Sequence, residues 1–323
     1  MKKIFIAMAL SFLSAVMLHA QTDTMYVMKA GVVINKQSIK LADVDSIVFY
    51  NPVITSPGSS IETALIPAGT FIMGSPASEA NRYTNETQHT VTLSAFRMSK
   101  YDITNAQYAA FLNAKSIGSN GVLASDPVYP GQVLIHSSLN TGSDWGLHYS
   151  GTQWTPVAGY ENNPVIIVTW YGATEYATYV GGTLPTEAQW EYACRAGTTT
   201  PFNTGSCLTN LQANYDWSKP YGTCTNTVTT YPGKTMPVGS YPANAYGLYD
   251  MHGNVRQWCS DWYADAYPTT AQTNPTGPTS GLGRVVRGWG WGGKALYCRS
   301  AVRGSFSLDS NSDGMGFRVV FVP

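Results

Sequence analysis

From Gly197 to Pro323 the sequence is broken repeatedly by Gly, Pro and Asn, and no regular repeat runs through it. Each Gly costs backbone entropy in an element interior, and each Pro removes a backbone donor. This part of the chain is therefore confined to short strands, turns and loops, and the abundance of aromatics among them (9 Trp and 21 Tyr in the whole chain) means that the loops have something to bury. Long loops in a folded domain are usually functional or stapled.

Helical spacing is found only before Gly197. Thr104 is placed to cap a helix from Asn105 through Leu112, burying Tyr108, Phe111 and Leu112 on one face. A second helix begins near Thr169 and carries Trp170, Ala173, Tyr176, Ala177 and Val180 at helical spacing. The third has the fullest signature: Thr186 with Gln189 makes a capping box, Glu187 suits the positive helix start, and Gly197 ends the element. Ile66 to Gly74 reads as a strand broken by turn chemistry, and Thr90 to Phe96 alternates as a strand. Few helices, short strands and long loops in one unit predict an α+β domain over residues 64–323.

The N-terminal part divides differently. Lys2 and Lys3 precede an apolar run from Ile4 to Leu18, and Ala20 offers a small residue before Gln21, so residues 1–20 read as a signal peptide. The run is short for a bilayer span; a retained anchor is the alternative. Export to the periplasm, cell surface or medium follows from the signal reading. Met25 to Met28 and Gly31 to Ile34 alternate around a short turn, and Val44 to Tyr50 is another β-rich run, which makes 21–51 a small β appendage. Pro52, Pro57, Gly58, Ser59 and Ser60 mark 52–63 as a linker.

Charged residues make up 12% of the chain, and 19 basic side chains balance 19 acidic ones. Nucleic-acid affinity has no global electrostatic source in such a chain, and 44% hydrophobic content excludes a disordered one. Five cysteines leave at least one outside any intramolecular disulfide. Cys207 and Cys224 flank a polar stretch and are the best pair for a loop staple; Cys194 and Cys259 read as buried small hydrophobes.

Several segments, taken together, resemble the formylglycine-generating-enzyme-like domain, also called the sulfatase-modifying-factor domain. They are Ile66 to Ser75, Glu86 to Leu93, Tyr101 to Tyr108, Leu184 to Ala193, Tyr246 to Trp258, Arg284 to Gly288, Cys298 to Ala301 and Gly316 to Val320. They occur in family order over about four-fifths of the chain. The resemblance implies an α+β, C-type-lectin-like fold, and it implies no single activity, since that fold hosts oxidases and pure binding proteins. In the oxidases of the family two cysteines near the C-terminus bind copper. Here Cys298 lies near the second of them, and Gly292 or Gly293 stands in the region of the first. Another branch uses a three-histidine iron site, and His89, His136, His148 and His252 show no spacing of that kind. The resemblance thus leans against catalysis and makes copper an unexpected cofactor, with Cys298 catalytic only under an oxidase reading.

The resemblance also implies a structural calcium along Asp250 to Gln257, held by the side chains of Asp250 and Gln257 and the carbonyls of Gly253 and Val255. The family more often has Asn and Glu at the two ends, so the carboxylate has changed ends. A second calcium segment begins at Asn214 and lacks the acidic partner expected near Tyr231.

Between Arg287 and Gly316 the residues depart from the usual family text and turn to Gly, Ser, Asn and aromatics, the mixture found in paratopes. The layout is similar to the variable region of retroelement-diversified C-type-lectin proteins. Trp289, Trp291, Tyr297, Phe306, Asn311 and Asp313 are the candidate ligand-binding residues, for a surface glycan or protein. Trp289 and Trp291 share parity, so an extended segment would project both to one side. The competing expectations are a divergent oxidase acting on a cysteine of a sulfatase-type substrate and a structural component of a surface assembly.

Overall fold

The computed structural model describes residues 61–124, 128–137, 144–310 and 312–323, together with two strands of a separate N-terminal unit. That unit contains β1 (Thr24–Lys29) and β2 (Val32–Ser38), an antiparallel hairpin with an irregularity between Val27 and Met28. The β-rich run from Val44 to Tyr50 lies outside the described residues, as does the apolar run from Ile4 to Leu18.

The second unit, Ile61–Pro323, holds three α-helices among the described residues, and short strands joined by long loops make up the rest. This is the α+β pattern expected. β3 (Thr63–Ile66) begins inside the stretch read as linker and pairs with β6 (Phe96–Ser99), which also pairs with β14 (Val320–Phe321). β4 (Gly69–Met73) pairs with β5 (His89–Leu93), and β5 with β10 (Gln272–Thr273). The alternation from Thr90 to Phe96 therefore spans two elements. It stops at Leu93, and Phe96 opens a strand of a different sheet, because Ser94 and Ala95 turn the chain.

Each helix forms where a threonine can cap it. Thr104 and Thr186 both complete capping boxes with the glutamine three residues on, for α1 (Asn105–Ala114) and α3 (Glu187–Arg195). Thr169 caps α2 (Trp170–Tyr179) by accepting from the Gly172 amide. α1 buries Tyr108, Phe111 and Leu112 against α2, where Tyr176 meets both rings. α3 ends on Ala196 in the left-handed region, followed by Gly197, also left-handed.

β7 (Leu147–Tyr149) and β8 (Trp154–Pro156) form a hairpin whose Trp154 is buried in the α1–α2 core. The remaining sheet positions the site. It runs in the order β12 (Gly304–Phe306), β11 (Arg284–Arg287), β9 (Arg256–Trp262), β13 (Met315–Gly316). Buried ion pairs tie it to α3: Arg287 lies between Glu187 and Glu191, and Arg303 grips Glu187 with two 2.7 Å contacts. Burial alone would push both glutamates up, but the arginines around them more than offset it and hold them below the usual carboxylate range.

A disulfide joins Cys207 to Cys224, the pair expected, across a loop that packs on a small cluster around Phe202, Leu208 and Tyr215. Cys194, Cys259 and Cys298 are free thiols, all fully buried.

Candidate functional site

The two long connections of the four-stranded sheet carry the expected ligand residues. Trp289, Trp291 and Tyr297 lie between β11 and β12, Phe306 ends β12, and Asp313 lies between β12 and β13. All five are half-buried. Asn311 lies outside the described residues.

Trp289 adopts φ 60°, the left-handed region, so the segment after Arg287 is not extended and strand parity does not apply to it. Each indole has its own aromatic partner instead. Trp289 lies against Tyr297, ring centroids 4.9 Å apart, while Trp291 meets Trp145 edge-on at 5.8 Å. The glycines that precede and follow these indoles matter to this packing. In the fold they make room for close packing: a Cβ on Gly293 would stand 2.0 Å from Cδ1 of Trp289. The loops are held by backbone bonds as well. The Trp291 amide donates to the Asn254 carbonyl at 3.0 Å, its indole N–H to the Asp313 carbonyl at 3.3 Å, and the Asp216 amide to the Gly293 carbonyl at 2.8 Å.

Sequence reasoning missed Arg256 and Trp145. Arg256 opens β9, and its guanidinium carbon lies 4.7 Å from the Trp289 ring centre and 5.2 Å from that of Phe306. Nη1 donates to Ser312 Oγ at 3.3 Å, and Nε is buried with no acceptor. Burial lowers its pKa, opposed by the nearby charge of Asp313 and by Cys298. A period of two along the strand would have found it, since Arg256 and Gln257 must face opposite ways. Trp145 carries no such signal, because only the tertiary fold brings it to Trp291.

The calcium segment is arranged differently from what the resemblance implies. Gln257 is fully buried; its Oε1 accepts from the Trp190 indole at 2.6 Å and from Arg318 Nε at 2.7 Å, and its Nε2 donates to the Asp250 carbonyl at 3.0 Å. Asp250 accepts from the Gly239 amide at 2.7 Å through Oδ2, its Oδ1 has no partner, and burial pushes its carboxyl up to about 6. Gly253 donates to the Gly288 carbonyl at 2.8 Å, and a Cβ there would stand 2.2 Å from the Asn214 carbonyl. Val255 is wholly buried. Calcium wants six to eight oxygens, some anionic. An amide oxygen already saturated by an indole and a guanidinium, with a fixed positive charge against it, does not fit that need. In the second segment Asn214 gives its Nδ2 to Lys234 and Asn254, leaving Oδ1 without a partner.

The sulfur chemistry is equally constrained. Cys298 is fully buried, its thiol pKa pushed well up by desolvation, and its Sγ faces the Lys294 carbonyl at 3.7 Å. Gly292 and Gly293 have no donor to offer at the other position, so the residues present do not fit a two-thiolate copper site. Cys194, pushed up to about 12 by burial, lies 3.8 Å from His252 Nε2, whose ring is in turn held down to about 4 by desolvation. A neutral thiol beside a neutral imidazole is a packed pair rather than an activated nucleophile.

Residues 53–322 match the family model described as the sulfatase-modifying factor enzyme 1-like domain. The formylglycine-generating enzyme of Streptomyces coelicolor is 34% identical over 285 residues, covering 81% of this chain and 90% of its own. Among solved structures, PvdO from Pseudomonas aeruginosa is 27% identical with a TM-score of 0.60, covering 80% of this chain and 93% of that one. The Treponema denticola variable protein 1 is 23% identical with a TM-score of 0.59, covering 82% and 98%, and shares the fold.

Proposed function

The chain belongs to the sulfatase-modifying factor enzyme 1-like family and has its C-type-lectin-like fold, and from that premise we propose that it is an exported, non-catalytic ligand-binding protein whose binding face is segment 287–316. The observation that carries this reading is a chain of half-buried contacts on loops pinned by backbone hydrogen bonds: Trp289 and Phe306 meet Arg256, Tyr297 packs on Trp289, and Trp291 donates to the Asp313 carbonyl. Aromatic and arginine side chains held rigidly and partly exposed are the groups that dominate binding energy. The buried, raised thiol of Cys298 supports recognition over oxidation, since the thiolate is the form that binds metal.

The test is a pair of alanine variants, Trp289→Ala and Trp291→Ala, screened against surface proteins and glycans and melted in parallel. A ligand bound by the parent and lost by a variant that keeps its melting temperature supports the face. If both variants lose several kcal/mol, as truncation of a buried Trp does, the pair is core and the reading falls. Copper loading separates the oxidase alternative: cuprous binding abolished by Cys298→Ser favours an enzyme.

A further inference from the structure

The binding face has a specific electrostatic centre. The guanidinium carbon of Arg256 lies over the rings of Trp289 and Phe306, and a guanidinium in such contacts keeps its N–H donors in its own plane, along its edge. Those edge donors are poorly used. One makes a 3.3 Å contact to Ser312 Oγ, and the Nε–H is buried without an acceptor. Asp313 and Cys298 are the titratable groups that reach it electrostatically. The neighbouring Arg284 and Arg287 also leave an Nε without a hydrogen-bond acceptor, but each has a firm partner elsewhere: Arg284 gives Nη1 to the Ser260 carbonyl at 2.6 Å, and Arg287, like Arg303, holds a glutamate. A half-buried guanidinium left short of acceptors is costly unless an acceptor arrives.

The ligand chemistry follows from what surrounds it. Tyr297 and Arg256 both lie against the ring of Trp289, so that indole is already engaged and has little face left to stack on a sugar. A single cation in a chain of formal charge +0 suits one carboxylate and not a polyanion. The planar fork matches a carboxylate in a two-point contact. Resting on the binding-face reading above, we infer that Arg256 is the anchor of that face and receives the carboxylate of an Asp or Glu side chain on a protein partner.

The probe is a random peptide library displayed on phage and panned on the full chain, with an array of uronic-acid glycans as a parallel arm. The expected result is enrichment of peptides with an Asp or Glu that cannot be exchanged for Asn or Gln, and at least about a tenfold loss of their binding in Arg256→Gln. Arg256→Lys, which keeps the charge and loses the fork, should retain part of it. Melting of each variant guards against simple unfolding. Failure to enrich acidic peptides, or enrichment only of acidic glycans, overturns the inference. If Trp291→Ala abolishes peptide binding and Arg256→Gln does not, the face stands and the anchor falls. If neither variant changes binding, the face reading falls and the anchor with it.

Discussion

A single buried carboxyl shows how far environment moves a residue from its solution behaviour. Asp261 is almost fully buried, and desolvation, reinforced by the charge of Glu187, pushes it up to about 7. Its Oδ2 accepts from the Glu187 amide at 3.0 Å and from Ser260 Oγ at 3.1 Å, so it serves as a polar brace for the start of α3. A carboxyl raised in the folded state stabilises fully below its unfolded pKa of about 4, and that stability is lost as pH rises through the folded value. Asp261→Asn keeps an acceptor and removes the titration. The expected outcome is a variant whose stability relative to the parent increases from pH 4 to pH 7 and is level above; chemical denaturation across that range checks it, and a constant difference would show that Asp261 titrates normally. Among the candidate ligand residues the same dependence on surroundings is plain. Trp289 and Trp291 were legible as a pair because of their spacing among glycines, but which neighbour each meets was not, since a left-handed φ at Trp289 replaces the extended geometry assumed for it.

The helices were the most legible elements because their signals are local. Capping requires a side-chain oxygen within three residues of the amides it satisfies, and the three threonines supply it where expected. Thr186→Ala should cost about 1 kcal/mol, read from the denaturant midpoint, because the Gln189 amide loses Thr186 Oγ1 as its acceptor. An unchanged midpoint would remove the cap from the account of α3. The strands were less legible. Thr90 to Phe96 looks like one strand, yet β5 and β6 belong to different sheets, because alternation records burial on two faces and not which sheet supplies it. α3 carries a further burden that no helical pattern announces: Glu187 and Glu191 point inward to meet Arg287 and Arg303 from the far end of the chain. Spacing i, i+4 identifies a shared face, and only the arginines turn that face into core.

The whole domain relies on one staple and on buried polar ties between distant segments. Closing the 17-residue separation from Cys207 to Cys224 limits the unfolded chain and should contribute about 3 kcal/mol; the double variant Cys207→Ala/Cys224→Ala, or mild reduction, is expected to lower the melting temperature, and no change would mean that the loop folds without it. Chelation should leave melting unaffected, because the Gln257 amide is committed to Trp190 and Arg318. A chelator-induced fall reversed by calcium and absent in Asp250→Ala would instead place an ion at Asp250, since a ligand of the native state stabilises by mass action. The sequence by itself determined the fold class, the three helix starts and the disulfide pair, because each depends on residues close together or on motifs kept in order. Tertiary structure alone decided that Gln257 accepts from the Arg318 guanidinium, that Trp145 meets Trp291, and that Arg256 lies over the rings of Trp289 and Phe306. Those outcomes depend on contacts between residues far apart in the chain, where packing and electrostatics act through space and leave no local trace.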